Sequence, residues 1–73
     1  MEEKRSEFDP KISLAAARTN ADMTQLQVSD IMHISKQTLI NWELGRSRPK
    51  PADVDMLSKI YKWPKELFDV QIR

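Results

Sequence analysis

Apolar residues along this chain fall in short stripes at helical spacing, broken by turn-forming residues. Ile12, Ala15, Ala16 and Thr19 follow an i, i+3, i+4, i+7 rhythm and predict a first helix. Asp9 would be its N-cap and Pro10 its first helical residue, where a missing N–H costs nothing. It is expected to stop around residues 20–22, and its small alanines suit close approach by a neighbour. A second helix opens at Thr24-Gln25-Leu26-Gln27, which has the form of a capping box. Met23 and Val28 stand where a hydrophobic staple needs them. With Leu26, Ile31 and Met32, Val28 predicts a continuous apolar face that ends near Met32.

His33 and Ile34 break the pattern, and Ser35 then caps a third helix over residues 35–44. Ile34 and Leu39 form a second staple around that cap. Leu39, Trp42 and Ile40 are its apolar members, whereas Lys36, Gln37, Asn41 and Leu44 lie elsewhere on its surface. Gly45, the only glycine, occupies the position where a helix ends in a left-handed residue. Pro51 in a first turn and Asp53 after it open a fourth helix, whose stripe is Val54, Leu57, Ile60 and Tyr61. Trp63-Pro64 marks a turn, and residues 64–70 read as a short fifth helix carrying Leu67 and Phe68. The reading is all-α: a compact bundle of about five short helices. It divides into an arm over 1–8, expected to be flexible, a folded domain over 9–70 and a tail over 71–73.

Composition narrows the picture. Seventy-three residues make one domain, and a chain this short buries only about 60% of its unfolded surface. Without cysteine, no disulfide or thiolate metal site supplements the core, so stability must come from helix packing or a partner chain. No stretch approaches the roughly 20 apolar residues that span a bilayer. Met1-Glu2-Glu3-Lys4-Arg5 mixes signs and leads into no apolar block, so no secretory signal is expected. A cytoplasmic protein fits these features.

Net charge is +1, from 12 Lys+Arg against 11 Asp+Glu, and by itself lends no support to nucleic-acid binding. Its distribution says more. Acidic residues lead in the first nine positions, whereas Arg46, Arg48 and Lys50 are all basic. Such a patch beside a helix can bind phosphates in a near-neutral molecule. On charge alone, a solvated basic loop is the simpler reading.

Two short helices joined by about three residues, the second polar and amide-rich on its outer side, have the geometry of a helix-turn-helix. The run from Thr24-Gln25 through Trp42-Glu43-Leu44-Gly45 to Arg48-Pro49 resembles the Cro/CI-type (XRE-like, lambda-repressor-like) helix-turn-helix of phage and bacterial repressors. The likeness extends over roughly residues 11–68, and Leu67-Phe68 resembles the family's closing helix.

That resemblance implies a sequence-specific regulator of transcription, expected to be a repressor, that binds double-stranded DNA with helix 35–44 in the major groove. Gln25 would hydrogen-bond the DNA backbone and help orient a side chain of the recognition helix. Lys36, Gln37 and Asn41 would face the bases, with Thr38 reaching a base edge or a phosphate. The chemistry suits these roles, since Lys reaches guanine O6/N7 and Gln or Asn pairs bidentately with adenine N6/N7. Arg46, Arg48 and Lys50 would hold phosphates and set the docking register. By spacing alone, Lys36, Gln37 and Asn41 fit an ordinary solvated helix face equally well. Arg18 and Glu43 would form the family's partly buried ion pair between the first and third helices, a structural role. A homodimer on a palindromic operator is implied, with half-sites about 34–36 Å apart.

The chain departs from the family's pattern where Asp22, His33 and Lys62 replace glycine at turns that favour positive φ. Asp and His tolerate that conformation better than most residues, and Lys62 is the least comfortable of the three. Ser29 replaces a common alanine, a small-for-small change. His33, with no cysteine or second histidine, reads as a turn residue, and neither metal nor cofactor is expected. An enzyme is not expected either, because nucleophile–base pairs and phosphate-cradling glycine loops are missing. The competing reading is a helix-turn-helix scaffold acting through protein contacts, as in an antitoxin-like or repressor-modulating partner. Near-zero net charge and the apolar residues Leu14, Ile40, Val70 and Ile72, expected to be exposed, allow it.

Overall fold

Four α-helices and one 3₁₀ turn make up the computed structural model, which describes residues 11–69. Helix α1 spans Leu14–Asn20, α2 Gln25–Met32, α3 Lys36–Leu44 and α4 Pro51–Tyr61, and Lys65–Leu67 forms the 3₁₀ turn. Each start has a local cause. Ser13 Oγ accepts from Ala16 N at 3.1 Å at the head of α1. At α2 the capping box is reciprocal: Gln27 N donates to Thr24 Oγ1 at 3.0 Å, and Thr24 N to Gln27 Oε1 at 2.8 Å. Ser35 Oγ accepts from Thr38 N at 3.0 Å at the head of α3. Pro51 opens α4, where Asp53 Oδ2 accepts from Lys50 N at 3.1 Å.

The ends are equally local. Asp22, His33 and Lys62 adopt φ of 61°, 57° and 56°, and Gly45 φ of 77°. The three non-glycine turns therefore keep the left-handed conformation, Lys62 in the same way as the other two. Ile34 N donates to Ser29 O at 3.0 Å, which reverses the chain and brings α3 against α2.

Leu14 and Ala17 of α1, Val28 of α2, Leu39 and Trp42 of α3, and Val54, Leu57 and Tyr61 of α4 are buried together with Phe68. Each large apolar side chain buried in this way stabilises the fold by about 1.5–3 kcal/mol. Tyr61 and Phe68 meet edge to face, with ring centroids 6.4 Å apart.

Four expectations from sequence are corrected. The predicted cap at Asp9 and Pro10 lies outside the described residues, but residues 11–13 are not helical and Ser13 is the cap of α1. The buried stripe of α1 is accordingly Leu14 and Ala17, not Ala15, Ala16 and Thr19, and Leu14 is 2% exposed instead of a surface residue. The face of α2 is less continuous than predicted: Val28 is buried and Met32 half-buried, but Leu26 and Ile31 are 58% and 47% exposed. The fifth helix shrinks to one 3₁₀ turn, because Phe68 takes extended φ/ψ of −76° and 131° and pairs with Ile12 in a parallel bridge. Val70, Ile72, the arm over 1–8 and the tail over 71–73 lie outside the described residues.

Candidate nucleic-acid interface

Helix α3 has two unlike sides. Leu39 and Trp42 point into the core, whereas Lys36 and Gln37 are exposed and Thr38, Ile40 and Asn41 half-buried. The polar side chains on this helix are already ordered by each other. Gln37 Nε2 donates to Asn41 Oδ1 at 3.0 Å, one helical turn on. Thr38 Oγ1 lies 2.8 Å from Ser35 Oγ. Gln37 and Asn41 thus form a joined amide pair that keeps further donor and acceptor capacity for a ligand.

The heads of α2 and α3 open onto a common groove of about 550 Å³, lined by Arg18, Thr19, Met23, Thr24, Gln25 and Lys36 among others. Gln25 and Lys36, separate in sequence, therefore share one concave surface. Arg48 lines a different groove of about 450 Å³, with Lys11, Trp42 and Phe68. Arg46, Arg48 and Lys50 are all exposed, and buried Pro49 anchors the loop that carries them. Arg46 N also donates to Asn41 O at 2.8 Å, which fixes the loop to the end of α3.

Behind this surface lies a polar cluster. Arg18 Nε donates to Glu43 Oε2 at 2.8 Å, with the two side chains 17% and 5% exposed. Arg18 Nη2 reaches Glu43 Oε1 at 3.5 Å, and Arg18 Nη1 donates to Met23 O at 3.1 Å. Gln25 Nε2 donates to Glu43 Oε1 at 2.9 Å. The buried hydroxyl of Tyr61 has no hydrogen-bond partner among the described residues. Burial holds its pKa well above the ordinary tyrosine value; the charge of Glu43 adds to this and that of Arg18 opposes it.

The Gln25–Glu43 bond agrees with the expectation that Gln25 touches a side chain of the recognition helix, and identifies that side chain as Glu43. The bond joins residues 18 positions apart, so the local pattern does not single out Glu43 as the partner. Among the described residues, no group of three His, Cys, Asp or Glu is placed to hold a metal ion. No helix among them is long and apolar enough to cross a membrane.

Chemically, the surface offers amide donors and acceptors flanked by cations, the residue types that read base edges and hold phosphates. A helix-turn-helix family model matches residues 14–66. No curated protein and no solved structure matches the chain.

Proposed function

The chain belongs to the Cro/CI-type (XRE-like) helix-turn-helix family, a DNA-binding and transcription-regulating kind of domain, and from this premise we propose a sequence-specific repressor of phage or bacterial type. In this reading α3 enters the major groove, and Lys36, Gln37 and Asn41 face base edges while Thr38 reaches an edge or a phosphate. Gln25 holds a backbone phosphate at the head of α2. Arg46, Arg48 and Lys50 bind phosphates and set the register. Two copies bind a palindromic operator with half-sites about one helical turn apart.

The observation that carries the reading is the two-sidedness of α3: Leu39 and Trp42 are buried while Lys36 and Gln37 are exposed on the same nine-residue helix. A helix anchored on one side and polar on the other supports insertion into a groove without loss of its own packing.

Selection of bound sequences from a random duplex pool at near-physiological salt tests the proposal. An enriched palindrome is the expected result; an unenriched pool with a folded protein contradicts it.

Exposed Leu26, Ile31, Leu44 and Met56 favour a second reading, a scaffold that acts through protein contacts. Salt separates the two. With three phosphate-bound cations on each protomer, log K falls with log salt at a slope of about −2.7 per protomer, or about −5.4 for two copies on one operator, since each contact releases counterions. Binding through an apolar surface has little such slope.

A further inference from the structure

Gln25, the first residue of α2, is not free to choose how its amide faces the groove it lines. Its Nε2 lies 2.9 Å from Glu43 Oε1, and an ionised carboxylate only accepts hydrogen bonds. The nitrogen end of the amide is therefore turned towards α3, which resolves an orientation that a lone amide leaves open. Glu43 is itself fixed. Its side chain is 5% exposed, and Arg18 holds both of its oxygens, at 2.8 Å and 3.5 Å. Arg18 in turn bonds Met23 O, in the segment that leads into α2. The contacts close a loop from Met23 through Arg18 and Glu43 to Gln25.

Bracing α1 against α3 needs only the Arg18–Glu43 contact. The bond to Gln25 adds something else: it fixes one N–H of an amide whose second N–H has no partner among the described residues. The geometry points to Glu43 as a positioning residue for DNA binding, one that holds Gln25 so that its remaining N–H donates to a phosphate oxygen in the groove beside Lys36. This rests on the proposed DNA-binding reading. An amide at position 43 can donate or accept, so it no longer dictates which end of Gln25 turns inward. In half of the resulting arrangements, the Gln25 carbonyl meets the phosphate and repels it.

The test is a double-mutant cycle on duplex affinity with the full chain, using wild type, Gln25→Ala, Glu43→Gln and both together. The probes are the duplex enriched from the random pool and a mixed-sequence duplex of equal length. Glu43→Gln is expected to weaken binding about tenfold, the scale of one charge-assisted hydrogen bond. The loss is expected to be equal on both probes, because a phosphate contact carries no sequence information. It is also expected to vanish in the Gln25→Ala background. A loss that persists in that background overturns the positioning role and leaves the DNA-binding reading intact. Wild type that binds neither duplex overturns both. Should Glu43→Gln fail to fold, the side-chain amide resonances of Gln25 in the wild type decide. One proton is expected to exchange slowly and keep its shift on duplex addition while the other moves. Two protons that behave as in a freely rotating amide contradict the inference.

Discussion

Ile12 and Phe68 are clipped together: Ile12 N donates to Leu67 O at 2.8 Å, and Asp69 N donates to Ile12 O at 2.8 Å. This parallel bridge joins the segment entering α1 to the one leaving the 3₁₀ turn and seals the core over Tyr61. A thin core depends on such a closure. Phe68→Ala is therefore expected to cost about 3–5 kcal/mol, the usual range for removing a buried aromatic ring. Urea unfolding checks it, with a lowered midpoint at unchanged slope as the expected result. A loss under about 1 kcal/mol would show that the ring closes nothing.

Glu43→Ala leaves Arg18 half-buried without its anion. The expected destabilisation is about 3 kcal/mol, the low end for a broken buried pair because Arg18 keeps some contact with water. Thermal melting by circular dichroism reads this directly, and unchanged melting would mean that the ion pair does not brace α1 against α3.

These two sites show what was legible in the sequence. Caps at Thr24 and Ser35, the left-handed Gly45 and the proline start of α4 are each encoded within four or five residues, so local pattern found them. Local pattern does not fix the head of α1, because Asp9-Pro10 and Ser13 both carry cap signals. Packing of Leu14 and Ala17, a tertiary matter, accompanies the choice of Ser13. A full fifth helix is not formed because the pairing that holds Phe68 in an extended conformation involves Ile12, at the other end of the domain, which local pattern does not carry. At the candidate site, the outward residues of α3 followed from helical period. The bonds that order them, Gln37 to Asn41 and Gln25 to Glu43, depend on side-chain placement that periodicity does not carry.

Tyr61 gives the fold a weakness at high pH. Burial favours its neutral form, so its folded pKa is raised above the unfolded value of about 10. The stability linked to this is fully present below about pH 10 and is lost as pH climbs from there towards the folded value. The chain has one tyrosine, so phenolate absorbance reports this residue alone. Tyr61→Phe is expected to reduce the alkaline loss and to leave neutral-pH stability equal or higher, since the hydroxyl it removes is buried without a partner among the described residues. A clear loss at neutral pH would instead reveal a bond made by that hydroxyl.

Gly45→Ala isolates the backbone cost of ending α3. A Cβ there meets nothing within 4 Å among the described residues, yet φ is +77°. The expected loss is about 1 kcal/mol, and conformation alone accounts for it. Lys62→Gly is expected to move stability the other way by a smaller amount, since glycine's extra freedom when unfolded offsets part of the gain. Denaturant midpoints of the two variants check both signs.

The most direct measurement is the ratio of Kd for a scrambled duplex to Kd for the enriched one, in wild type and in the Gln37→Ala, Asn41→Ala double variant. Specific recognition predicts a wild-type ratio of about a thousand or more. Loss of two base-reading amides is expected to lower it about a hundredfold while melting stays unchanged, because neither side chain is buried in the core. A ratio that survives the double substitution would show that the outer side of α3 does not read DNA.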